Sequence, residues 1–354
     1  MEAKDSTQIA VPSKKAVRRA GEILRDPTAP HDEIWKALIT LSEWRRLHTY
    51  PINTFQAYLR GKTKREYPTA IVAQRLKRFS SILNKLVRYP DMKMDRMQDI
   101  GGIRVILNSI SDVYSLHSAL IKSKRFKHRA MTMKDYIETP KKDGYRSVHQ
   151  VFGYMNRQHP ELNVLKIEIQ IRTKLQHSWA TAVETLGIVE KSSFKTGEGS
   201  EQFKQFFKLS SALFSLDEKK PILDEFKDVE PALIVQMLAD IESELQITSK
   251  LRGLAISARH IDATSQSGYH LMELDIEKNN VSLIPFSDKQ LDQAEFYYRS
   301  REQATKDNPN ISVVLISAGN IKDIKKAYPN YFLDTNLFVK NLKRICEKYK
   351  SVHD

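Results

Sequence analysis

The stretch LKIEIQIRTKLQHSWATAVE, residues 165–184, changes its hydrophobic period midway, so one continuous segment must supply two kinds of structure. Leu165, Ile167, Ile169 and Ile171 alternate with Lys166, Glu168, Gln170 and Arg172. A period of two puts the first set on one face of a strand and the second set on the other. From Thr173 onward, Leu175, Trp179, Val183 and Leu186 recur every three or four residues, the spacing of an amphipathic helix with Thr173 as its N-cap. A strand must therefore run into a helix, with the carboxylate of Glu168 on the strand's polar face between isoleucines. Taken alone, the pattern also describes a solvated sheet face.

Two further β-branched runs bounded by turns predict strands, GGIRVIL (101–107) and RSVHQVFGYM (146–155), with a helix at SDVYSLHSALIKS (111–123). Residues 14–60 read as amphipathic helix, Ile34, Leu38, Leu41 and Trp44 lining one side, and AIVAQRLKRFSSILNKLVRY continues in that style to Pro90. On that reading Arg75 and Lys85, ten residues apart, share a helix face to within about 80°. Helices are predicted at 174–189, 201–215 and 230–250, with KTGEGS (195–200) and Pro221 as a flexible joint. The tail restarts with a hairpin turning at KNN in YHLMELDIEKNNVSLIPF, a helix to about 305, a strand ISVVLISA (311–318) and two short helices. The expected organisation is a helical segment at 1–66, an α/β core domain at 67–195, a helical connector at 196–250 and a small α/β domain at 251–354.

Charge is distributed unevenly. Residues 1–200 hold 36 Lys and Arg against 20 Asp and Glu, a balance of +16, and residues 201–354 hold 21 against 23, a balance of −2. Clusters such as KSKRFKHR (122–129) and QRLKRF (74–79) attract polyanions, whether nucleotides, nucleic acid or an anionic membrane. No run of eighteen apolar residues exists and the N-terminus lacks the apolar core of a signal peptide, so the expected location is cytoplasmic, with no membrane partner. The single Cys346 excludes an internal disulfide and a cysteine-based zinc site.

Polar groups gather at strand ends in three places. In MQDIGGIRVIL, Asp99 precedes a buried strand, two glycines permit close backbone approach, and Arg104 alternates with Ile103 and Val105. In MKDYIETPKKDGYRSVH, Lys134, Lys141, Lys142, Arg146 and His149 surround Tyr145, read as an exposed aromatic on a turn. The third is the strand bearing Glu168. Acidic residues on neighbouring strands amid many cations suit a divalent metal with phosphates, the carboxylates holding Mg²⁺ and the cations neutralising the remaining charge. A loop tyrosine beside glycine offers a flat face for a base.

Together, QDIGGIR, DYIETPKKDGYRSVH and IEIQIRTKLQHSWA resemble, in order and spacing, the successive motifs of the RelA/SpoT synthetase domain over about residues 70–190. The resemblance implies an α+β fold, a nucleotidyltransferase-like mixed sheet flanked by helices, with a second small α/β domain at the C-terminus. It implies transfer of the β,γ-pyrophosphate of ATP to the 3′-hydroxyl of GDP or GTP, making (p)ppGpp, with Mg²⁺ as cofactor. Carried onto this chain, Asp99 and Glu168 hold the metal and Glu168 draws the proton from the attacking hydroxyl. Arg75 and Arg104 sandwich the adenine, Lys77 and Lys85 take the ATP phosphates, the guanine stacks on Tyr145, and Lys134, Lys141 and His149 lie near its phosphates. His177 begins the third motif's helix, sharing its face with Ala180, Thr181 and Glu184.

The chain departs from the family pattern at two acceptor positions, Thr132 for a common Arg and Asp143 for a common Asn. His31 and Asp32 form an HD pair read as a helix start capped by Asp32, because the spaced His and Asp of the family's hydrolase domain are lacking. Two alternatives stay open: a toxin-type member that modifies the 3′ end of tRNA, and an inactive copy that senses nucleotide or RNA. A homo-oligomer, and a protein regulator bound by the near-neutral tail, are also left open.

Overall fold

Lys166–Thr173 is a strand and Lys174–Glu190 a helix, with no residue between them. The computed structural model describes residues 9–77, 79–190, 198–248, 251–252, 269–275, 278, 280–305, 308, 311–317 and 331–350. The chain divides into two compact units, Met1–Asp135 with Ser147–Thr173, and Tyr136–Arg146 with Lys174–Asp354. The boundary between them thus falls at the change of period.

The first unit opens with three helices, α1 (Lys14–Ile23), α2 (His31–Leu47) and α3 (Thr49–Glu66). There follow β1 (Ile71–Leu76), α4 (Phe79–Arg88), β2 (Gly101–Leu107), α5 (Ile110–Lys122), β3 (Arg129–Asp135), β4 (Val148–Gly153) and β5 (Lys166–Thr173). The five strands form one mixed sheet in the order β1-β2-β5-β4-β3, in which β2 and β5 are parallel and the other pairs antiparallel. Helices α3 and α5 pack against β2 and β5, over Ile103, Val105, Ile167, Ile169 and Ile171, which are all buried. The alternation in β5 is therefore real, and its apolar half is core.

Several expectations change. Residues 71–76, read as helix, are the edge strand β1, because IVAQRL satisfies either period and β2 offers it a ladder. Arg75 on β1 and Lys85 on α4 do not share a helix. The basic stretch 122–129 ends on Arg129, the first residue of β3, an exposed edge strand that also carries Lys134, and cations on an edge are a common guard against edge pairing. Asp32 lies inside α2, whose N-cap is Pro30, and accepts from Lys36 at 3.2 Å.

The second unit contains α6 (Lys174–Glu190), α7 (Glu198–Asp217), α8 (Pro231–Leu245), β6 (Tyr269–Asp275), β7 (Asn280–Phe286), α9 (Leu291–Thr305), β8 (Ile311–Ser317) and α10 (Tyr331–Lys350). The predicted hairpin is β6–β7, and β8 adds to β6 to make a sheet of order β7-β6-β8. This small sheet with α9 has its own core of Leu271, Phe286, Ala294 and Val313. A larger core joins Trp179 of α6, Phe206, Phe207 and Phe214 of α7, Val235 of α8, and Phe338, Val339, Leu342 and Ile345 of α10. Helix α10 therefore packs with α6, α7 and α8, although sequence grammar grouped it with the tail domain. It runs for 20 residues, Tyr331–Lys350; residues 318–330, where the first of the two short helices was expected, lie outside the described residues. The joint expected at 195–200 lies outside the described residues at 195–197, and Glu198 already begins α7.

Candidate active site

Strand register gathers the site onto one face of the five-stranded sheet. Residues paired across neighbouring strands share a face. Ala73, Arg104, Gln170, His149 and Lys134 form one row across β1, β2, β5, β4 and β3. Arg75, Gly102, Glu168 and Val151 form the next row. The gap in that second row is Gly102, where an added Cβ would stand 3.2 Å from the Glu168 carbonyl. A small cleft opens there, about 40 Å³ in volume, lined by Arg75, Lys77, Asp99, Gly102, Ile103, Arg104, Glu168 and Gln170. All six residues expected to hold ATP and metal, except Lys85, line it. Lys85 reaches the same carboxylate from α4.

Asp99 lies two residues before β2, beside the end of β1, where the Lys77 amide donates to the Ile100 carbonyl at 2.8 Å. The Lys77 ammonium donates to Asp99 Oδ2 at 2.9 Å, and Lys85 to Oδ1 at 2.9 Å and Oδ2 at 3.0 Å. Arg45 of α2 fixes this corner by donating to the Lys77 carbonyl at 2.7 Å. Burial alone would raise the Asp99 carboxyl, but the two ammonium groups outweigh it and hold it at about 2. A depressed carboxyl stabilises the fold above its unfolded pKa and loses that contribution as pH falls through its folded value. Wild type is therefore expected to lose about 2 kcal/mol more than Asp99→Asn between pH 5 and pH 2. Urea midpoints across that range check this, and parallel curves for the two proteins would contradict it.

Glu168 is held at both oxygens. His149 Nδ1 lies 3.0 Å from Oε1, and Gln170 Nε2 donates to Oε2 at 2.7 Å. Burial pushes the carboxyl up and nearby Asp99 adds to that, yet the hydrogen bonds and charge of His149, with the bond from Gln170, leave it lowered. His149, expected near the acceptor phosphates, is thus placed on the carboxylate; Lys134, its partner across the β3–β4 pair, is exposed.

Asp99 pushes the proton affinity of Glu168 up, and a divalent cation placed at the two carboxylates would relieve that repulsion. Hard oxygen donors, few in number, suit Mg²⁺, which keeps waters and takes the rest of its shell from substrate phosphates. Among the described residues, no group of three or more His, Cys, Asp or Glu could hold a metal, so any bound ion would rely on such outside ligands. Asp99 would have to exchange its lysines for the ion.

The loop Tyr136–Arg146, expected to take the acceptor, belongs to the second unit. Gly144 has φ +91°, a conformation that favours glycine, and a Cβ there would lie 2.8 Å from Ser211 Cβ. Tyr145 is half-buried, not exposed as expected, because it packs on the core shared by α6, α7 and α10. Its ring meets Tyr136 edge-on at 6.1 Å, and Lys141 Nζ lies 4.6 Å and 4.7 Å from the Tyr136 and Tyr145 ring centres. Asp143 accepts from the Tyr145 amide at 3.0 Å and so shapes the turn. His177, Ala180 and Thr181 are buried in α6 and Glu184 is half-buried.

Sequence reasoning gave no role to Gln170, Arg45 or Ser211. Gln170 was findable, being two residues from Glu168 on the same strand face. Arg45 and Ser211 were not, because their contacts span 32 and 67 residues.

A profile of the family described as "Region found in RelA / SpoT proteins" matches residues 74–198. The GTP pyrophosphokinase YwaC of Bacillus subtilis (strain 168) is 37% identical over 120 residues, 32% of this chain and 56% of YwaC. The GTP pyrophosphokinase YjbM of the same strain is 32% identical over 177 residues, 45% of this chain and 82% of YjbM. The solved structure of small alarmone synthetase 1 from Bacillus subtilis, bound to its product pppGpp, is similar at 27% identity and a TM-score of 0.41, over 50% of this chain and 94% of that one. The chain belongs to the RelA/SpoT family. It spans little more than half the length of YwaC.

Proposed function

We propose that this chain is a GTP pyrophosphokinase, moving the β,γ-pyrophosphate of ATP to the 3′-hydroxyl of GDP or GTP. The observation that carries the reading is the convergence of Asp99 and Glu168 with Lys77, Arg75 and Arg104 in one cleft. Pyrophosphoryl transfer asks for concentrated cations and a positioned base more than for a nucleophilic side chain. Kinship with relatives named GTP pyrophosphokinases supports it.

In this reading Arg75 and Arg104 grip the adenine, and Lys77 and Lys85 leave Asp99 for the ATP phosphates. Glu168 takes the 3′-hydroxyl proton as the oxygen bonds to the β-phosphorus and the bond to the α-phosphate breaks, releasing AMP. His149 and Gln170 orient that carboxylate. Mg²⁺ held by Asp99 and Glu168 would supply charge neutralisation at the phosphates. Tyr145 and Lys141 take the guanine nucleotide, and Lys134 its phosphates. No described helix is long and apolar enough to cross a membrane, and a cytoplasmic setting, where these nucleotides are found, fits the reaction.

A tRNA acceptor is the second reading, favoured by the exposed cations Lys122, Lys124, Arg125, Lys127 and Arg129. The test is incubation with γ-labelled ATP, Mg²⁺ and, in parallel, GDP, GTP or deacylated tRNA. Label on GDP or GTP is the expected result. Label on tRNA alone would replace the acceptor, and label on none would favour the nucleotide-sensing alternative.

A further inference from the structure

The loop Tyr136–Arg146 is fastened to α7. Ser211, buried on α7, donates its hydroxyl to the Gly144 carbonyl at 2.6 Å. Arg146, also buried, donates from Nε to Ser211 Oγ at 3.3 Å and from Nη1 to the Ile137 carbonyl at 3.0 Å, closing the loop's two ends together. Lys220, just past α7, pairs with Glu138. Gly144 also lets the loop approach α7 closely, since a Cβ there would meet Ser211 Cβ at 2.8 Å and Trp179 at 3.2 Å.

The same helix is held from another side by α10. Phe338 sits among Phe206, Phe207 and Phe214, with ring centres 6.5, 5.9 and 5.5 Å away. Asp217, at the end of α7, accepts from Arg344 at 2.6 Å and Lys348 at 2.9 Å. Phe207, Ser211 and Phe214 follow one another at helical steps of four and three, so the residue that holds the loop lies between two that hold α10. A helix in a close-packed core moves as a body, and a shift of α7 carries Ser211 with it.

We infer that α10 is a positioning element of the acceptor loop, acting through α7 and Ser211 to set the conformation of residues 136–146. The inference rests on the reading that this loop takes the acceptor. It gives the end of the chain a role in acceptor specificity, and ATP binding on the first unit's sheet does not depend on it.

The double variant Arg344→Glu/Lys348→Glu tests this in the full chain, changing only side chains that are about half exposed. Cys346, the sole cysteine, is half-buried on α10, so its rate of reaction with a chromogenic disulfide reports docking without reference to activity. Three results are expected: faster Cys346 reaction, faster hydrogen exchange at the Lys141 and Gly144 amides, and an acceptor KM raised about three- to tenfold with the ATP KM within about twofold. Asp217→Arg added to the double variant should restore all three. Phe338→Ala is the undocking variant if Cys346 stays at the wild-type rate, judged by the same criteria. Ser211→Ala should raise the acceptor KM with Cys346 unchanged. Undocking that leaves loop exchange and acceptor KM at wild-type values, or raises both KM values equally, overturns the proposal. Should wild type label no acceptor, the pyrophosphokinase reading fails by itself, and the exchange measurement still decides whether α10 orders the loop.

Discussion

Glu168→Gln is expected to lower kcat by about 10²–10⁴-fold, the usual contribution of a positioned general base. The amide keeps the shape of the side chain and can still bond His149 and Gln170, so the fold should persist. It cannot take the hydroxyl proton, and it is a weaker ligand for a cation. Circular dichroism and urea midpoints close to wild type, with turnover reduced to that extent, are the expected pair of results. Normal turnover would remove Glu168 from the chemistry. Asp99→Asn provides the contrast: it should raise the Mg²⁺ concentration needed for half-maximal rate, because Asp99 is proposed to hold the ion and not the proton.

Tyr145→Ala is expected to raise the acceptor KM by about 5- to 150-fold, the equivalent of the roughly 1–3 kcal/mol that base stacking is worth. The ATP KM should change little, because the adenine is assigned to Arg75 and Arg104 on the sheet. Since Tyr145 also packs on the α6–α7–α10 core, alanine removes some packing as well as the stacking face. Tyr145→Phe separates the two effects: it keeps the ring and its burial, and should bind the acceptor near wild-type strength. Equal rises in both KM values for Tyr145→Ala would contradict the stacking role.

What could be read from the sequence followed from local rules. The period-two run at 165–173 gives a strand with Glu168 on its polar face, and the structure has that strand with Ile167, Ile169 and Ile171 buried. GGIRVIL is β2 to the residue, and the helix after it is α5. Burial of one face leaves such a segment little choice, because a slip by one residue would put every isoleucine in water. The family resemblance was also carried by contiguous motifs, and the match at 74–198 covers them.

Other features were not legible, for a common physical reason. IVAQRL became a strand because β2 was there to pair with it, and a short apolar run carries no record of its partner. Lys77 and Asp99 are 22 residues apart, and only the β1–β2 ladder puts their ammonium and carboxylate at 2.9 Å. His149 meets Glu168 because β4 and β5 are antiparallel in one register and no other. Tyr145 reads as an exposed turn residue until α7 and α10 are in place beneath it. Sequence alone thus determined the elements with one buried face and the kinds of groups the site would use. Tertiary structure decided which of those groups meet, and that α10 belongs to the core on which Tyr145 packs, because such contacts depend on register and packing between segments that carry no mark of each other.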